Sequence, residues 1–313
     1  MQSACELIEP RTAAEAAAAL REATESGRQV SLSGRGGDLV VSTARLDRIV
    51  EHEATDLTCI VEPGVRLSSL DQVLAAHGQR LALDPPGDPT IGECIAEGLS
   101  GPLRHRYGAV RDLILGVTVV LADGTIASSG GKVVKNVAGY DLAKLFCGSR
   151  GTLGLVVRAA FRLHPRPETT SAFAIPAARP AAVRPLLAEL ASSKLVPGAL
   201  DLLWPGALLG LIEGSPRVVE AQAAEALRFE GAEICERDVW DASHERQRQA
   251  AGVVGFAPSE LSDILRSEAP TLVRPSLGIA YLDRPYEAAT PAALRDLRAR
   301  LRQQFDPEGV LVG

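Results

Sequence analysis

Apolar and polar positions follow two different periods along the first half of the chain. An alanine-rich segment over residues 12–25 predicts a helix that ends at Gly27. Short apolar runs at 29–33, 59–62, 113–122 and 154–163 predict strands. Asp123-Gly124 predicts a hairpin turn into a partner strand at 125–128. A second helix is expected after Ser68 or Ser69, either of which could cap it. This half therefore predicts a mixed helix and strand domain that ends at the prolines near residue 167.

The second half has a different order of elements. Strands are predicted at 173–175, 200–203, 208–212 and 232–235, and helices at 182–192 and 218–229. This βαββαβ order is that of a ferredoxin-like unit. A further strand is predicted at 277–282, followed by a helix with an apolar stripe of Leu294, Leu297, Leu301 and Phe305. The predicted fold class is α+β in two domains, residues 1–167 and 168–313, with a last helix that could return to the first domain.

The length and net charge of the chain limit the kinds of molecule that it is expected to bind. The chain has 313 residues and a net charge of −6, which suits a two-domain globular protein and argues against nucleic acid or an anionic membrane as main partner. The longest apolar stretch, 202–212, is too short for a transmembrane helix and contains Pro205 and Gly206. No signal peptide pattern opens the chain. We expect a cytoplasmic protein, with any membrane association made through partner subunits.

The cysteines predict no metal or cluster site. None of Cys5, Cys59, Cys94, Cys147 and Cys235 is spaced as C-x-x-C. The last four lie in apolar or glycine-rich stretches, which favours buried, reduced thiols. If electrons pass through this protein, no iron–sulfur cluster of its own would carry them onward.

Several glycine-punctuated loops run into predicted strands or helices. Gly34 to Gly37 follows the first strand, and Gly130 to Leu145 precedes the motif Gly148-Ser149-Arg150-Gly151-Thr152-Leu153-Gly154. Such loops can direct backbone N–H groups toward one anion, such as a pyrophosphate. Thr90-Ile91-Gly92, after a proline-rich loop over residues 84–89, is expected to offer free N–H groups at the start of a helix. Taken alone, that segment also reads as an ordinary loop before a helix.

Taken together, these motifs resemble the FAD-binding domain of the vanillyl-alcohol oxidase type. The resemblance is closest to the family of small flavin subunits of bacterial glycolate oxidase. It covers roughly residues 10–167, and weakly 305–309. It implies non-covalent FAD, since no histidine occupies the usual tether positions. The cofactor-binding residues that it implies are Gly34, Gly36, Gly37, Pro86, Gly87, Thr90, Ile91, Gly92, Gly98, Ser100, Gly101, Gly108, Asp112, Lys135, Gly139, Tyr140, Gly151, Gly154 and Val156.

The candidates for chemistry beside the flavin are Lys135, Asn136 and Tyr140. A cation near N1 and O2 of the flavin stabilises the negative charge of its reduced form, although Lys132 and Lys135 also read as solvated lysines. His105, within the basic cluster 104–106, is the histidine nearest a candidate site. The remaining histidines, His52, His77, His164 and His244, have no partner spacing and read as structural or surface residues.

Two departures from the family bear on the cofactor. The first glycine loop is short, and Glu93 stands where the family usually has a second glycine, so a carboxylate would lie beside a diphosphate unless it points away. These two features favour a non-catalytic scaffold that has lost FAD. The resemblance instead implies the FAD-binding subunit of a glycolate or other 2-hydroxy-acid oxidase, with a larger flavin subunit and an iron–sulfur subunit as partners. A self-sufficient FAD-dependent alcohol or hydroxy-acid oxidase is the third alternative.

Overall fold

The structure is a computed structural model that describes residues 5–32, 34, 36–131, 141–287 and 290–313. Residues 5–165 form what we call the N-terminal unit. Its strands are β1 (Glu6–Ile8), β2 (Val30–Ser31), β3 (Leu39–Val41), β4 (Ile49–Glu53), β5 (Thr58–Val61), β6 (Gln79–Arg80), β7 (Ile114–Val120), β8 (Ile126–Gly130), β9 (Leu155–Arg162) and β10 (His164–Pro165). Its helices are α1 (Ala13–Glu25), α2 (Leu67–Ala75), α3 (Ile91–Glu97), α4 (Arg104–Tyr107), α5 (Val110–Leu113) and α6 (Ala143–Phe146).

Residues 169–287 form the C-terminal unit, and the chain then returns to the N-terminal unit. The strands after residue 168 are β11 (Thr169–Ala177), β12 (Ala199–Leu203), β13 (Gly206–Gly214), β14 (Glu233–Cys235), β15 (Gly252–Gly255), β16 (Leu272–Arg274), β17 (Ile279–Leu282) and β18 (Leu311–Val312), the last of which lies in the returning segment. The helices are α7 (Pro180–Ser192), α8 (Pro216–Ala226), α9 (Val239–Gln249), α10 (Leu261–Ser267) and α11 (Ala292–Phe305), with 3-10 turns at Pro258–Glu260 and Pro275–Leu277.

A small parallel sheet opens the N-terminal unit. Its strand order is β1-β3-β2-β18, so the last strand of the chain lies beside the second. Leu311 pairs with Val30, and both side chains are fully buried. The buried face of α1 shares the same hydrophobic core. This helix lies within the predicted segment 12–25 and is capped by the Thr12 side chain. The sequence pattern did not indicate β1, β3 or β18, because each is only two or three residues long.

A five-stranded antiparallel sheet forms the second layer of the N-terminal unit. Its order is β4-β5-β9-β7-β8, and the predicted hairpin at Asp123-Gly124 joins β7 to β8. Helices α2, α3, α5 and α6 cover it with a core that includes Leu70, Ile95, Leu113 and Phe161. The expected serine cap of α2 is wrong. The helix begins after Arg66, and Ser68 instead donates its N–H and its hydroxyl to Asp88.

The C-terminal unit is built on a seven-stranded antiparallel sheet of order β14-β11-β13-β12-β16-β17-β15. Its first four strands have the order 4-1-3-2 of a ferredoxin-like unit when counted along the chain, which confirms the predicted topology. Strands β15 and β16 and helices α9 and α10 extend this unit and were not predicted. The predicted strand at 277–282 is β17, which begins at Ile279.

Buried polar groups hold the two units together. Arg80 of β6 forms a bidentate ion pair with Glu213 of β13, at 2.8 and 3.0 Å. The Tyr107 hydroxyl accepts a hydrogen bond from Arg80 and donates one to Glu213. Gln247 of α9 donates to the carbonyl oxygen of Ser100 at 2.8 Å. These contacts place α4 and the loop after Leu83 against the C-terminal sheet, next to the cavities described below.

Candidate functional site

A cavity of about 770 Å³ lies between the two sheets of the N-terminal unit. Its walls come from the loop after β2, the segment after β3, the turn after β5, helix α3 with the loop before it, and the start of β9. The predicted site residues that line it are Gly34, Pro86, Thr90, Gly92, Gly151, Gly154 and Val156. Residues far apart in the sequence thus meet around one space whose volume is in the range of cofactor sites.

The start of α3 does not offer the free N–H groups that the sequence predicted. Thr90 N–H donates to the carboxylate of Glu93 at 2.6 Å, and Glu93 N–H donates to the Thr90 hydroxyl at 3.2 Å, which is a capping box. The N–H groups of Ile91 and Gly92 donate to the carbonyl oxygens of Val65 and Pro63, at 2.8 and 2.7 Å. All four groups are therefore bonded within the protein. The carboxylate of Glu93 turns back onto its own helix, which weakens the case for a scaffold that has lost FAD.

The other carboxylates in the wall are also engaged by protein groups. Hydrogen bonds from the backbone and side chain of Ser68, together with Arg66, lower the pKa of Asp88. Glu97 forms an ion pair with Arg150 at 3.2 Å. Arg66 is the one basic side chain in the described wall, and the N–H of Gly151 has no acceptor among the described residues. Arg66 donates through Nη1 to the carbonyl oxygen of Asp88 at 2.7 Å. Its remaining guanidinium N–H groups and the N–H of Gly151 can meet an anion. Nothing in the sequence pattern had indicated Arg66.

Packing within the protein restricts two of the cavity glycines. A Cβ on Gly92 would lie 3.0 Å from the Pro63 side chain. A Cβ on Gly151, whose φ is +78°, would lie 2.7 Å from Cβ of Leu32. Larger residues at either position would therefore disturb the fold as well as the cavity. Close approach to a ligand is not their only function.

Other predicted residues do not line this cavity. They are Gly36, Gly37, Gly87, Ile91, Gly98, Ser100, Gly101, Gly108 and Asp112. Ile91 is fully buried, Gly98 forms the left-handed end of α3, and Asp112 accepts the N–H of Ala109. Lys132, Lys135, Asn136, Gly139 and Tyr140 lie outside the described residues, so their roles stay predictions, as does the complete set of cofactor contacts.

Sequence reasoning missed several wall residues. Thr43, Ala44 and Phe146 carry no glycine or charge signal, and they reach the cavity only through the fold. Pro63-Gly64 was recognised as a turn, but nothing in the sequence indicated that this turn closes one side of the cavity.

A second cavity of about 590 Å³ lies where the N-terminal and C-terminal units meet. It shares Pro86 and Asp88 with the first cavity, and Gly87 lies between those two residues in its wall. Its lining includes four carboxylates, of Asp71, Asp84, Asp88 and Glu168, against three arginines and a histidine. Arg80 and Arg166 already pair with Glu213 and Asp71, whereas the Arg237 side chain has no ion-pair partner among the described residues. The charge of this lining does not favour an anion.

His244, for which the sequence predicts a structural or surface role, contacts the N-terminal unit. Its Nε2 lies 3.0 Å from the carbonyl oxygen of Asp84 and 3.8 Å from the Asp84 carboxylate, across the boundary between the units. Asp84 raises the pKa of His244. The two residues are separated by 160 positions, so no local spacing could have revealed the pair. His105 also contacts the other unit, through a 2.6 Å hydrogen bond between Nδ1 and the Ser276 hydroxyl.

The burial of the cysteine side chains agrees only in part with the prediction. Cys59 and Cys94 are buried, whereas Cys147 and Cys235 are only half-buried. Burial raises the pKa of both Cys59 and Cys94 to about 12. Among the described residues, no group of three or more histidine, cysteine, aspartate or glutamate side chains could hold a metal ion. No helix in the described ranges is long and apolar enough to cross a bilayer.

Residues 6–130, which contribute much of the wall of the first cavity, match a protein family described as an FAD binding domain. The whole fold is similar to that of alkyldihydroxyacetonephosphate synthase, with a TM-score of 0.71 and 14% identity over 97% of this chain and 76% of that one. The N-terminal unit therefore contains an FAD-binding domain, and its cofactor is FAD. The predicted resemblance, the fold class and FAD as the cofactor are confirmed, whereas the domain boundaries and the non-covalent attachment stay predictions.

Proteins of similar sequence include several oxidoreductases. Glycolate oxidase subunit GlcD of Bacillus subtilis is 36% identical over 197 residues, 61% of this chain and 41% of that protein. Glycolate oxidase subunit GlcE of Escherichia coli is 33% identical over 64% of this chain and 56% of that protein. A D-lactate dehydrogenase of Archaeoglobus fulgidus is 32% identical over 63% of this chain and 47% of that protein. The chain spans about half the length of these relatives, all of which are named for hydroxy-acid oxidation.

Proposed function

We propose that this chain is the FAD-binding subunit of a 2-hydroxy-acid oxidoreductase, with glycolate as the first substrate to test. The observation that carries the proposal is the 770 Å³ cavity, walled largely by residues of the segment that matches the FAD binding domain family. The names of the relatives, glycolate oxidase subunits and D-lactate dehydrogenase, support the substrate class. When bound, FAD supplies an acceptor for a hydride equivalent.

The protein residues would hold and orient the cofactor. Arg66 and the N–H of Gly151 are the described groups best placed to meet its phosphates. The capping box keeps the carboxylate of Glu93 on its own helix. The buried Arg80–Glu213 pair fixes the C-terminal unit beside Pro86, where the two cavities meet.

The lining of the second cavity supports a role within a complex. A hydroxy-acid anion needs a cation that is not already neutralised, and this lining has more carboxylates than arginines. We therefore expect a larger flavin subunit to complete or supply the substrate site, and an iron–sulfur subunit to accept the electrons. Catalytic roles for Lys135, Asn136 and Tyr140 remain part of this proposal.

The test begins with the purified chain. It should be yellow, and acid precipitation should release FAD rather than FMN into the supernatant. The chain alone should turn over glycolate or D-lactate slowly with a dye acceptor, and the complex co-expressed with both partner subunits should turn over at least one of them. A colourless protein that stays colourless with added FAD, or a complex inactive on all 2-hydroxy acids, would contradict the proposal.

A self-sufficient oxidase is the second candidate, and His244 favours it. Asp84 contacts the imidazole of His244, which lines the second cavity, so His244 would be the candidate general base of such an oxidase. Turnover by the chain alone at the rate of the complex, lost in His244→Gln with FAD content unchanged, would promote this candidate.

A further inference from the structure

Helix α11 lacks the support that a helix of its length needs. It has 14 residues, and none of them is buried. Helix α1, with 13 residues, buries five. An isolated helix of this length is marginal in water, because its stability comes mainly from packing of an apolar face. Here only the C-terminal end is packed, where Phe305 contacts Phe146 edge to face at 5.8 Å between ring centroids.

The apolar side chains of α11 form one stripe. Leu294, Leu297 and Leu301 are spaced at i, i+3 and i+7, which places them on one side of the helix. Leu294 is 39% exposed and Leu297 is 47% exposed. This spacing is the one that helices use when they dock in an apolar groove of another protein.

Arginines flank the stripe without acidic partners. No ion pair joins a described carboxylate to Arg295, Arg298, Arg300 or Arg302, although α9 and α10 each pair an arginine with a carboxylate three residues away. Arg295 and Arg302 donate to the backbone oxygens of Thr290 and Leu311. With Asp296 as its one acidic residue, α11 is strongly basic in a chain whose net charge is −6.

We infer that the exposed stripe of α11 docks in an apolar groove with a carboxylate rim on a partner subunit. This inference rests on the proposed function. Unpaired arginines complement such a rim, since the guanidinium group binds carboxylates through two parallel hydrogen bonds. An anionic membrane fits less well, because the net negative charge of the whole chain would be repelled by it. Two exposed leucines also provide little area for insertion into lipid.

The experiment co-expresses the tagged chain with the large flavin subunit and the iron–sulfur subunit of the same operon or genome. The test variants are Leu294→Ser/Leu297→Ser and Arg298→Glu. The matched control is Val196→Ser/Leu227→Ser, which changes two exposed aliphatic residues of the C-terminal unit, 60% and 54% exposed. Both test variants should bind the partner subunits at least about tenfold more weakly, as expected for loss of central interface contacts. The control should bind as the unmodified chain does.

The melting temperature and FAD content of each variant show whether it folds. Test variants that fold and bind both partners as tightly as the unmodified chain would overturn the docking site and leave the proposed function intact. An unmodified chain that is yellow but captures neither subunit would overturn both. Self-association detected by light scattering and lost in Leu294→Ser/Leu297→Ser would identify a second copy of the chain as the occupant and overturn the proposal. Sedimentation with phosphatidylserine vesicles that is lost in the same variant would identify lipid as the occupant and also overturn it.

Discussion

The carboxylate of Glu93 accepts the backbone N–H of Thr90 at 2.6 Å, and the hydroxyl of Thr90 accepts the backbone N–H of Glu93 at 3.2 Å. This reciprocal pair closes the start of α3 at the wall of the 770 Å³ cavity. A helix start that seemed prepared for phosphate is thus satisfied by its own side chains. Anion recognition in this cavity must rely on other groups.

Two replacements of Glu93 should separate its contribution to helix capping from the effect of its charge on FAD binding. Glu93→Gln keeps an oxygen that can accept the Thr90 N–H and removes a negative charge from the cavity, so the melting temperature should hold and FAD affinity should rise or stay level. Glu93→Ala should lower the free energy of unfolding by about 1 kcal/mol, because a capping bond is lost. Urea unfolding and FAD titration of the apoprotein measure both effects. Weaker FAD binding by Glu93→Gln would mean that the carboxylate assists the cofactor.

Filling the cavity should weaken FAD binding without weakening the fold. Ala96 is a half-buried residue of α3 that lines the cavity, so Ala96→Phe would occupy cofactor space while remaining compatible with a helix. We expect FAD affinity to fall by at least about tenfold with little change in the apoprotein melting temperature. Ala221→Phe, at an exposed position of α8, is the matched control and should change neither quantity. Gly151→Val should lower both, because its Cβ would press on Leu32.

The ion pair between the two units should be costly to break. Arg80→Met leaves the carboxylate of Glu213 buried with only the Tyr107 hydroxyl, which should lower the free energy of unfolding by about 3–5 kcal/mol. Arg166→Ala breaks an exposed pair with Asp71 and should cost less than about 1 kcal/mol. Chemical denaturation of both variants is the measurement. Equal, small losses would show that the buried pair does not hold the units together.

The pair formed by His244 and Asp84 should make stability depend on pH. Because Asp84 raises the pKa of His244 in the folded chain, the folded state binds the proton more tightly than the unfolded state. The resulting stabilisation is fully present below the unfolded pKa of about 6.5 and is lost as the pH rises through the folded pKa. The stability advantage of the unmodified chain over His244→Gln should therefore shrink from pH 6 to pH 8.5 in denaturant titrations. A constant difference across that range would contradict the raised pKa.

Local patterns in the sequence predicted most of the longer elements. The helix capped by Thr12, the β7–β8 hairpin and the βαββαβ order of the C-terminal unit all depend on residues close together in the chain. Propensity, capping and turn chemistry act over a few residues, so a single sequence carries these signals. The glycine motifs likewise indicated an FAD-binding domain, which the family match at residues 6–130 confirms.

The tertiary structure alone decided which of these residues share a wall and which polar groups remain available. It brought Thr43 and Ala44 to the cavity, joined Arg80 to Glu213 across 133 positions, and returned Leu311 to the side of Val30. It also directed the carboxylate of Glu93 back to Thr90 rather than toward a ligand. Such contacts depend on the packing of distant segments, which no local period encodes. The sequence by itself therefore determined the elements and the cofactor class, and the packing of those elements determined the geometry of the site.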